Sequence, residues 1–437
     1  MSFGLSNVIF LLALFTAIYF FAKNVKKIRR NILLARDSLR TDQPATRWKI
    51  MTRVALGQSK MVVNPVAGLF HIVIYAGFLL INIEVLEIVL DGILGTHRLF
   101  AQPLGALYTA AINFFEILAV AVIVACVVFL WRRNVMKIDR FRKPELQGWP
   151  FRDANYILII EIVLMIALLS IGAAEANMEN PPAGPFIISS LLAPVFSGLS
   201  QEGLHIAERI AWWAHILGIL AFLNYLPFSK HFHIILSFPN TWYAKLTPYG
   251  KFPIHQRVKK EVELMLDPHA DPYTAPSDQS QESSEKFGAK DVMDLTWVNV
   301  LNAYACTECG RCTAECPANQ TGKKLSPRKI MMDVRDRAEE IGRIIDANGG
   351  KFVDDGKSLL DHYITREEIW ACTSCNACVE ACPVLIDPLD IIMQLRQYVV
   401  MEEAKAPQSL NLMMTNVENN GAPWQFAQAD RANWVYQ

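Results

Sequence analysis

Five apolar stretches, at roughly residues 4–22, 66–90, 105–131, 154–173 and 204–228, constrain this chain more than any other feature. Each has close to the 20 or so residues that a helix needs to cross a hydrocarbon core. No water is available there to satisfy unpaired backbone groups, so segments of this kind fold as helices. The first half of the 437 residues is therefore expected to be a five-helix transmembrane bundle. The overall composition, 52% hydrophobic and 19% charged, averages that half with an ordinary soluble one after about residue 236.

Charge in the connecting loops sets an expected orientation. The loop 23–60 carries eleven lysines and arginines and the loop 132–152 carries seven, whereas 91–104 has only Arg98 and 174–203 has none. The positive-inside bias places the N-terminus outside an inner membrane and the C-terminal half in the cytoplasm. The first run, Leu5 to Ala22, has no basic region before it and no small-residue cleavage site after it. It leads into KNVKKIRR, the flank of a retained span and not of a cleaved signal peptide. Lysine plus arginine and aspartate plus glutamate each number 42, so net charge gives no support for a nucleic-acid partner.

The chain divides into a membrane domain at 1–236, a connector and linker at 237–290, a metal-binding domain at 291–400 and a tail at 401–437. LSFPNTWYAKLTPYGKFPIH reads as a juxtamembrane connector, and the Pro-, Ser- and Gln-rich 267–286 reads as a linker. Ser326-Pro327 is an N-cap and first-turn pair opening a helix. Thr365 and Glu368 form a capping box, and Asp387-Pro388 opens a third helix. With no competing strand pattern, the whole protein is expected to be mainly α.

Eight of the nine cysteines fall in two runs, CTECGRCTAECPA at 306–318 and CTSCNACVEACPV at 372–384. Each is C-x2-C-x2-C-x3-C-P, and three thiolates two residues apart on a tight loop reach three corners of a [4Fe-4S] cube. In bacterial two-cluster ferredoxins the fourth cysteine ligates the other cluster. That pattern puts Cys306, Cys309, Cys312 and Cys382 on one [4Fe-4S] cluster and Cys372, Cys375, Cys378 and Cys316 on a second. Structural zinc is the plainer alternative, but it typically takes two separated C-x2-C pairs and not a run of four followed by proline. The density of paired cysteines argues for metal in a reducing compartment, not for disulfides.

The motifs, the stretch AYACTECGRCTAECPANQTGKKLSPRKIM and the tail NNGAPWQFAQADRANW resemble iron–sulfur subunits related to heterodisulfide reductase, over about residues 291–437. In that family a cysteine-rich domain with CCG repeats often follows such a tail. The resemblance thus implies that a separate cytoplasmic subunit bearing the CCG domain is the partner, an electron-transfer flavoprotein being another candidate.

Among the histidines, the bland expectation is a satisfied core residue. His71 lies near the cytoplasmic end of span two, His215 lies in span five, and His233 lies just past span five. Two neutral imidazoles from facing helices at one depth make a b-type haem site. The arrangement resembles the gamma subunit of respiratory nitrate reductase, a five-helix dihaem membrane cytochrome. His215 and His233 show that family's span-five spacing within a similar PFSK context, and His71 matches its first span-two ligand. The second departs, its place being Ile81. The resemblance implies one haem b held by His71 and His233, with His215 left to a second haem only if another partner serves. His97 and His205 lie about 39 Å and 42 Å along from His71 and His233 and match each other in depth. His231 is expected to be a solvated neighbour of Lys230.

Glu84, Glu87, Glu116 and Glu161 sit inside apolar helices, where a functional role or a pairing within the bundle is expected. Glu84 and Glu87 are candidates to carry protons for a quinone. Together these features predict a membrane subunit passing electrons between a cytoplasmic redox partner and the quinone pool, menaquinone by the resemblance. A quinol-driven thiol–disulfide reductase subunit and a haem-free membrane anchor for a ferredoxin module are the alternatives. No nucleophile–base set, phosphate loop or dinucleotide fingerprint points to other chemistry.

Overall fold

The computed structural model describes residues 4–252, 254–269 and 286–436. Among these residues the fold is helical, with no named strand and two isolated bridges. Five helices are long and apolar enough to cross a membrane: α1 (Leu5–Ile32), α2 (Pro65–Leu94), α3 (Ala106–Asn134), α4 (Trp149–Glu175) and α5 (Gln201–Tyr225), the last prolonged by a turn to Phe228. Their ends follow local chemistry. Proline supplies the first turn of α2 and α4, where its missing N–H costs nothing. The Ser200 hydroxyl accepts the Gly203 N–H at 3.2 Å to cap α5. Apolar side chains such as Leu12, Phe15, Val163 and Ile210 stay exposed on the outside of the bundle, as a lipid-facing surface requires.

The interior is closely packed, α4 against α5 and α2 against α3. A Cβ on Gly77 of α2 would lie 2.4 Å from the Val122 side chain of α3, so this crossing admits only glycine without a shift. Several polar groups inside the bundle are paired across elements. The Glu116 carboxylate accepts the Ile188 N–H at 2.9 Å, and Asn113 accepts the Ile187 N–H at 2.7 Å, which ties the loop between α4 and α5 down onto α3.

The second half is a helical unit seated on one end of the bundle. After α6 (His233–Trp242) it contains α7 (Trp297–Ala305), α8 (Pro327–Ala347), α9 (Arg366–Ala371), α10 (Pro388–Met401) and α11 (Gln408–Asn420). Ser326 accepts from Lys329 N–H to start α8, Thr365 and Glu368 cap α9 reciprocally, and Asp387 caps α10, as the sequence predicts. The core residues Ile330, Val334, Ala338 and Ile341 recur at helical spacing along α8 and are fully buried.

Two stretches do more than their sequence implies. The basic end of α1, expected only as a membrane flank, docks on α8. Lys27 and Arg30 both bind Asp346, and Asn31 donates to the Tyr304 hydroxyl at 3.1 Å over Gly342, where a Cβ would collide. The expected connector is partly the helix α6, whose Asn240 and following Tyr243 pack onto α7. The linker reading at 267–286 falls largely on residues outside those described.

Candidate functional site

The two cysteine runs adopt the same backbone course. A helix, α7 or α9, ends with the first cysteine, Cys306 or Cys372, as its C-cap in extended conformation. Two residues in the left-handed region follow, Glu308 and Gly310 in the first run and Ser374 and Asn376 in the second. These sharp bends turn the chain around a centre, so the next cysteines face back toward the first. At Gly310 a side chain would also meet the buried Arg328 guanidinium at 2.4 Å. The backbone N–H groups of Glu308 and Ser374 each point at the sulfur of the leading cysteine, 3.4 Å away, and the Ile386 N–H points at Cys382 at 3.3 Å. Donors aimed at sulfur favour the thiolate, the form that binds metal.

Tertiary packing sorts the eight sulfurs. Cys306, Cys309, Cys312 and Cys382 line one cavity with Arg311, Arg328 and Ile386. Cys372, Cys375 and Cys316 stand around Cys378 at electrostatic range. Cys378 also touches the edge of the first cavity, where the two sets meet. Burial pushes the Cys306 thiol up to about 12 and the Cys382 thiol to about 11. Free thiolates are therefore disfavoured, and a positively charged metal centre is what would stabilise them there. Tetrahedral zinc brings its sulfurs to about 3.8 Å from one another. Among the described residues no three cysteine sulfurs come within 4.8 Å of one another, a wider spacing than that of a single tetrahedral ion. Cys126, in α3, is buried away from both.

Cationic groups from the membrane half surround these loops. The Arg140 carbonyl accepts from Arg328 at 2.6 Å, and the Arg140 guanidinium lies within electrostatic range of Cys309. The carbonyl of Lys60 accepts from Arg311 at 3.1 Å, while its ammonium donates to the Glu380 carbonyl at 2.7 Å. The loops 23–60 and 132–152 thus hold the cysteine motifs, a role that their charge count does not reveal.

The histidines gather on the same end of the bundle. His231 and His233 have ring centroids 5.6 Å apart at 83°, and His71 of α2 is within electrostatic range of both and of Arg311. The His233 Nδ1–H donates to the Lys230 carbonyl at 3.0 Å, which leaves Nε2 available to a ligand. His71 Nδ1, His231 Nε2 and His215 Nε2 are buried without a hydrogen-bond partner. Orphaned imidazole nitrogens of this kind fit haem iron as their missing partner. Contrary to expectation, His231 is only partly exposed: its ring packs 5.3 Å from Phe222, its Nε2 is out of contact with solvent, and burial holds its imidazole neutral, near 3. His215 stands apart, its Nδ1 on the Leu164 carbonyl at 2.9 Å.

At the opposite end, His97 meets α5 at Arg209, one turn along from His205. His97 binds Glu175 at 3.1 Å and Arg209 at 3.0 Å, while His205 is exposed. Arg98 joins Glu84 at 3.0 Å to Glu175 at 3.1 Å, and Glu87 accepts from Tyr108 at 2.7 Å. The carboxylates flagged in span two are therefore paired within a buried network, and Arg98, which the sequence marks only as the lone basic residue of its loop, is their partner.

Missed as well is the ion triad beneath the first cysteine loop. Lys230 and Arg335 both bind Glu308, which follows Thr307 between Cys306 and Cys309. Despite burial, the two cations hold the Glu308 carboxyl below the usual carboxylate range. A glutamate inside a cysteine motif was the one signal available.

Comparison with known proteins agrees with this chemistry. Residues 305–386 match the family model of the 4Fe-4S dicluster domain. The chain is 28% identical to the "Probable iron-sulfur-binding oxidoreductase FadF" of Bacillus subtilis, over 98% of this chain and 60% of that protein. It is 25% identical to the "EtfAB:quinone oxidoreductase" of Syntrophomonas wolfei, over 94% of this chain and 57% of that protein. It is also 31% identical to an iron–sulfur subunit of the CoB–CoM heterodisulfide reductase of Methanopyrus kandleri, over 22% of this chain and 39% of that protein. The chain spans somewhat under two thirds of the first two relatives. No solved structure matches it.

Proposed function

We propose that this chain carries electrons between a cytoplasmic redox partner and the quinone pool, menaquinone in the simplest case. The observation that carries the reading is the proximity of His71 and His233 to the first cysteine loop, through Arg311 and Lys230. In this reading Cys306, Cys309, Cys312 and Cys382 hold one [4Fe-4S] cluster, and Cys372, Cys375, Cys378 and Cys316 hold the other. His71 and His233 hold a haem b, and His215 is reserved for a second one. When bound, such clusters and haem supply one-electron stores along a line from the soluble half to the bilayer. The protein's own part is to fix that line. Its left-handed turns aim the sulfurs, the Lys230 carbonyl orients His233, and the helices of the bundle exclude water from the imidazoles.

The five spans support an inner-membrane location, with the basic loops and the iron–sulfur domain on the cytoplasmic side by the positive-inside bias. The similarity to a protein named for quinone oxidoreduction with EtfAB supports an electron-transfer flavoprotein as the soluble partner, while a CCG-bearing unit rests on the resemblance to heterodisulfide reductase subunits. A second reading, quinol-driven reduction of a disulfide, is favoured by the similarity to the heterodisulfide reductase iron–sulfur subunit. The test is an absorption spectrum of the detergent-purified protein with a quinol added. Reducible low-spin b-type bands are expected, and their absence would leave a haem-free anchor for a ferredoxin module.

A further inference from the structure

The segment Ser229–His233 joins α5 to α6 at the seam between the membrane bundle and the cysteine loops. One residue in it, Lys230, is bound on three sides. Its N–H donates to Asp153 of α4 at 3.1 Å. Its carbonyl accepts the His233 Nδ1–H at 3.0 Å. Its ammonium donates to the Pro150 carbonyl at 2.6 Å and to the Glu308 carboxylate. Glu308 is pinned from the other side by Arg335 of α8 at 2.8 Å, and its own N–H points at the Cys306 sulfur. Asp153 also accepts from Ser229 at 2.7 Å and from Tyr225, so the anchor in α4 is itself fixed.

The Lys230 side chain is only 9% exposed and that of Glu308 only 2%. Burying such a pair is costly, and for stability alone an apolar pair would serve as well or better. What the pair provides is a fixed relation. The same residue orients the imidazole in the bundle and grips the loop that carries Cys306 and Cys309.

We propose that Lys230 is a positioning residue for electron transfer, coupling the His233 site to the first cysteine loop and setting the potential of the cluster held there. This rests on the ligand roles given above to His233 and to Cys306, Cys309, Cys312 and Cys382. With both groups bound, the step would be one-electron exchange between them, with no bond made and no proton taken up. A buried ammonium on the Glu308 carboxylate would favour the more negative, reduced form of a cluster on that loop, so Lys230 would raise its potential and would fix the loop relative to the His233 imidazole.

The test uses the full chain in detergent, with Lys230→Met, Lys230→Arg and Glu308→Gln compared in redox titrations followed by electron paramagnetic resonance. In Lys230→Met the midpoint of the first cluster should fall while that of the second stays put, and electron exchange with the haem should slow at least ten-fold. Lys230→Arg should restore the midpoint. A Lys230→Met protein with both the midpoint and the exchange rate of the parent overturns the proposal. Should Lys230→Met fail to assemble, Glu308→Gln gives the opposite sign: loss of the anion should raise the midpoint, and an unchanged value is equally fatal. The midpoint is read without haem. A haem-free protein would thus remove the functional reading above, while the titration still decides the role of Lys230.

Discussion

Asn302 donates its side-chain N–H to the Oδ1 of Asn240 at 2.7 Å, and both amides are buried. Asn240 in turn donates to the Val384 carbonyl at 2.6 Å, two residues after Cys382, and Asn302 accepts the Asp387 N–H at 3.0 Å. One pair of amides thus clamps the second cysteine run against the helix that leaves the bundle.

Removing one member of that pair leaves the other buried and unsatisfied. Asn302→Ala is expected to destabilise the iron–sulfur half by about 1–3 kcal/mol. Denaturant melts that follow cluster absorbance should show the loss, and Asn302→Asp, which sets a buried carboxylate against the Asn240 oxygen, should lose at least as much.

Cys382→Ser should damage the cluster grouped with Cys306, Cys309 and Cys312, although it lies in the second run. Iron content is expected to fall from about eight toward about four per chain. Resonance spectra that lose the second-run signal instead would show each run holding its own cluster.

The three neighbouring histidines can be separated. His71→Ala and His233→Ala should each abolish one low-spin b-type signal, whereas His231→Ala should keep it, because His233, with its Nδ1 held by the Lys230 carbonyl, is the neighbour assigned the ligand role. Loss in His231→Ala with retention in His233→Ala would transfer the ligand role between them. His215→Ala should affect only a second haem.

Acid should loosen the soluble half at one defined place. Hydrogen bonds from Lys357, Tyr363 and Arg337 hold the Glu340 carboxyl down near 2, and Arg337 does the same for Asp355. Both folded values lie below the ordinary 4.5 and 3.8, so the stabilisation is complete above those ordinary values and is lost as pH falls toward 2. Amide protection factors across 352–359, corrected for the pH dependence of intrinsic exchange, should fall over that window, and Asp355→Asn should flatten the fall. Protection factors independent of pH between 4.5 and 2 would contradict it.

The tail is expected to bind the soluble partner. Trp424, Phe426 and Trp434 are exposed together with Leu412 and Val417 of α11, and aromatic residues dominate interface energetics. Deleting residues 415–437 should release whatever co-purifies in gentle detergent. A complex that survives the deletion would place docking elsewhere.

Much of this protein was determined by local sequence alone. The five spans follow from apolar length, because lipid leaves the backbone no alternative to the helix. The starts at Ser326, Thr365 and Asp387 follow from side chains that reach only their own first turn. Even the shape of each cysteine loop is local, set by Gly310 and Asn376 in the left-handed region. What tertiary structure decided is every relation across distance: Cys382 beside Cys306, His71 beside His233, Arg98 between Glu84 and Glu175, Lys230 under Glu308. Spacing and periodicity specify which face a residue takes on its own helix but carry no term for the partner opposite. The ion pairs in particular have no periodic signature, since a lysine at the end of a span becomes decisive only when packing removes it from water.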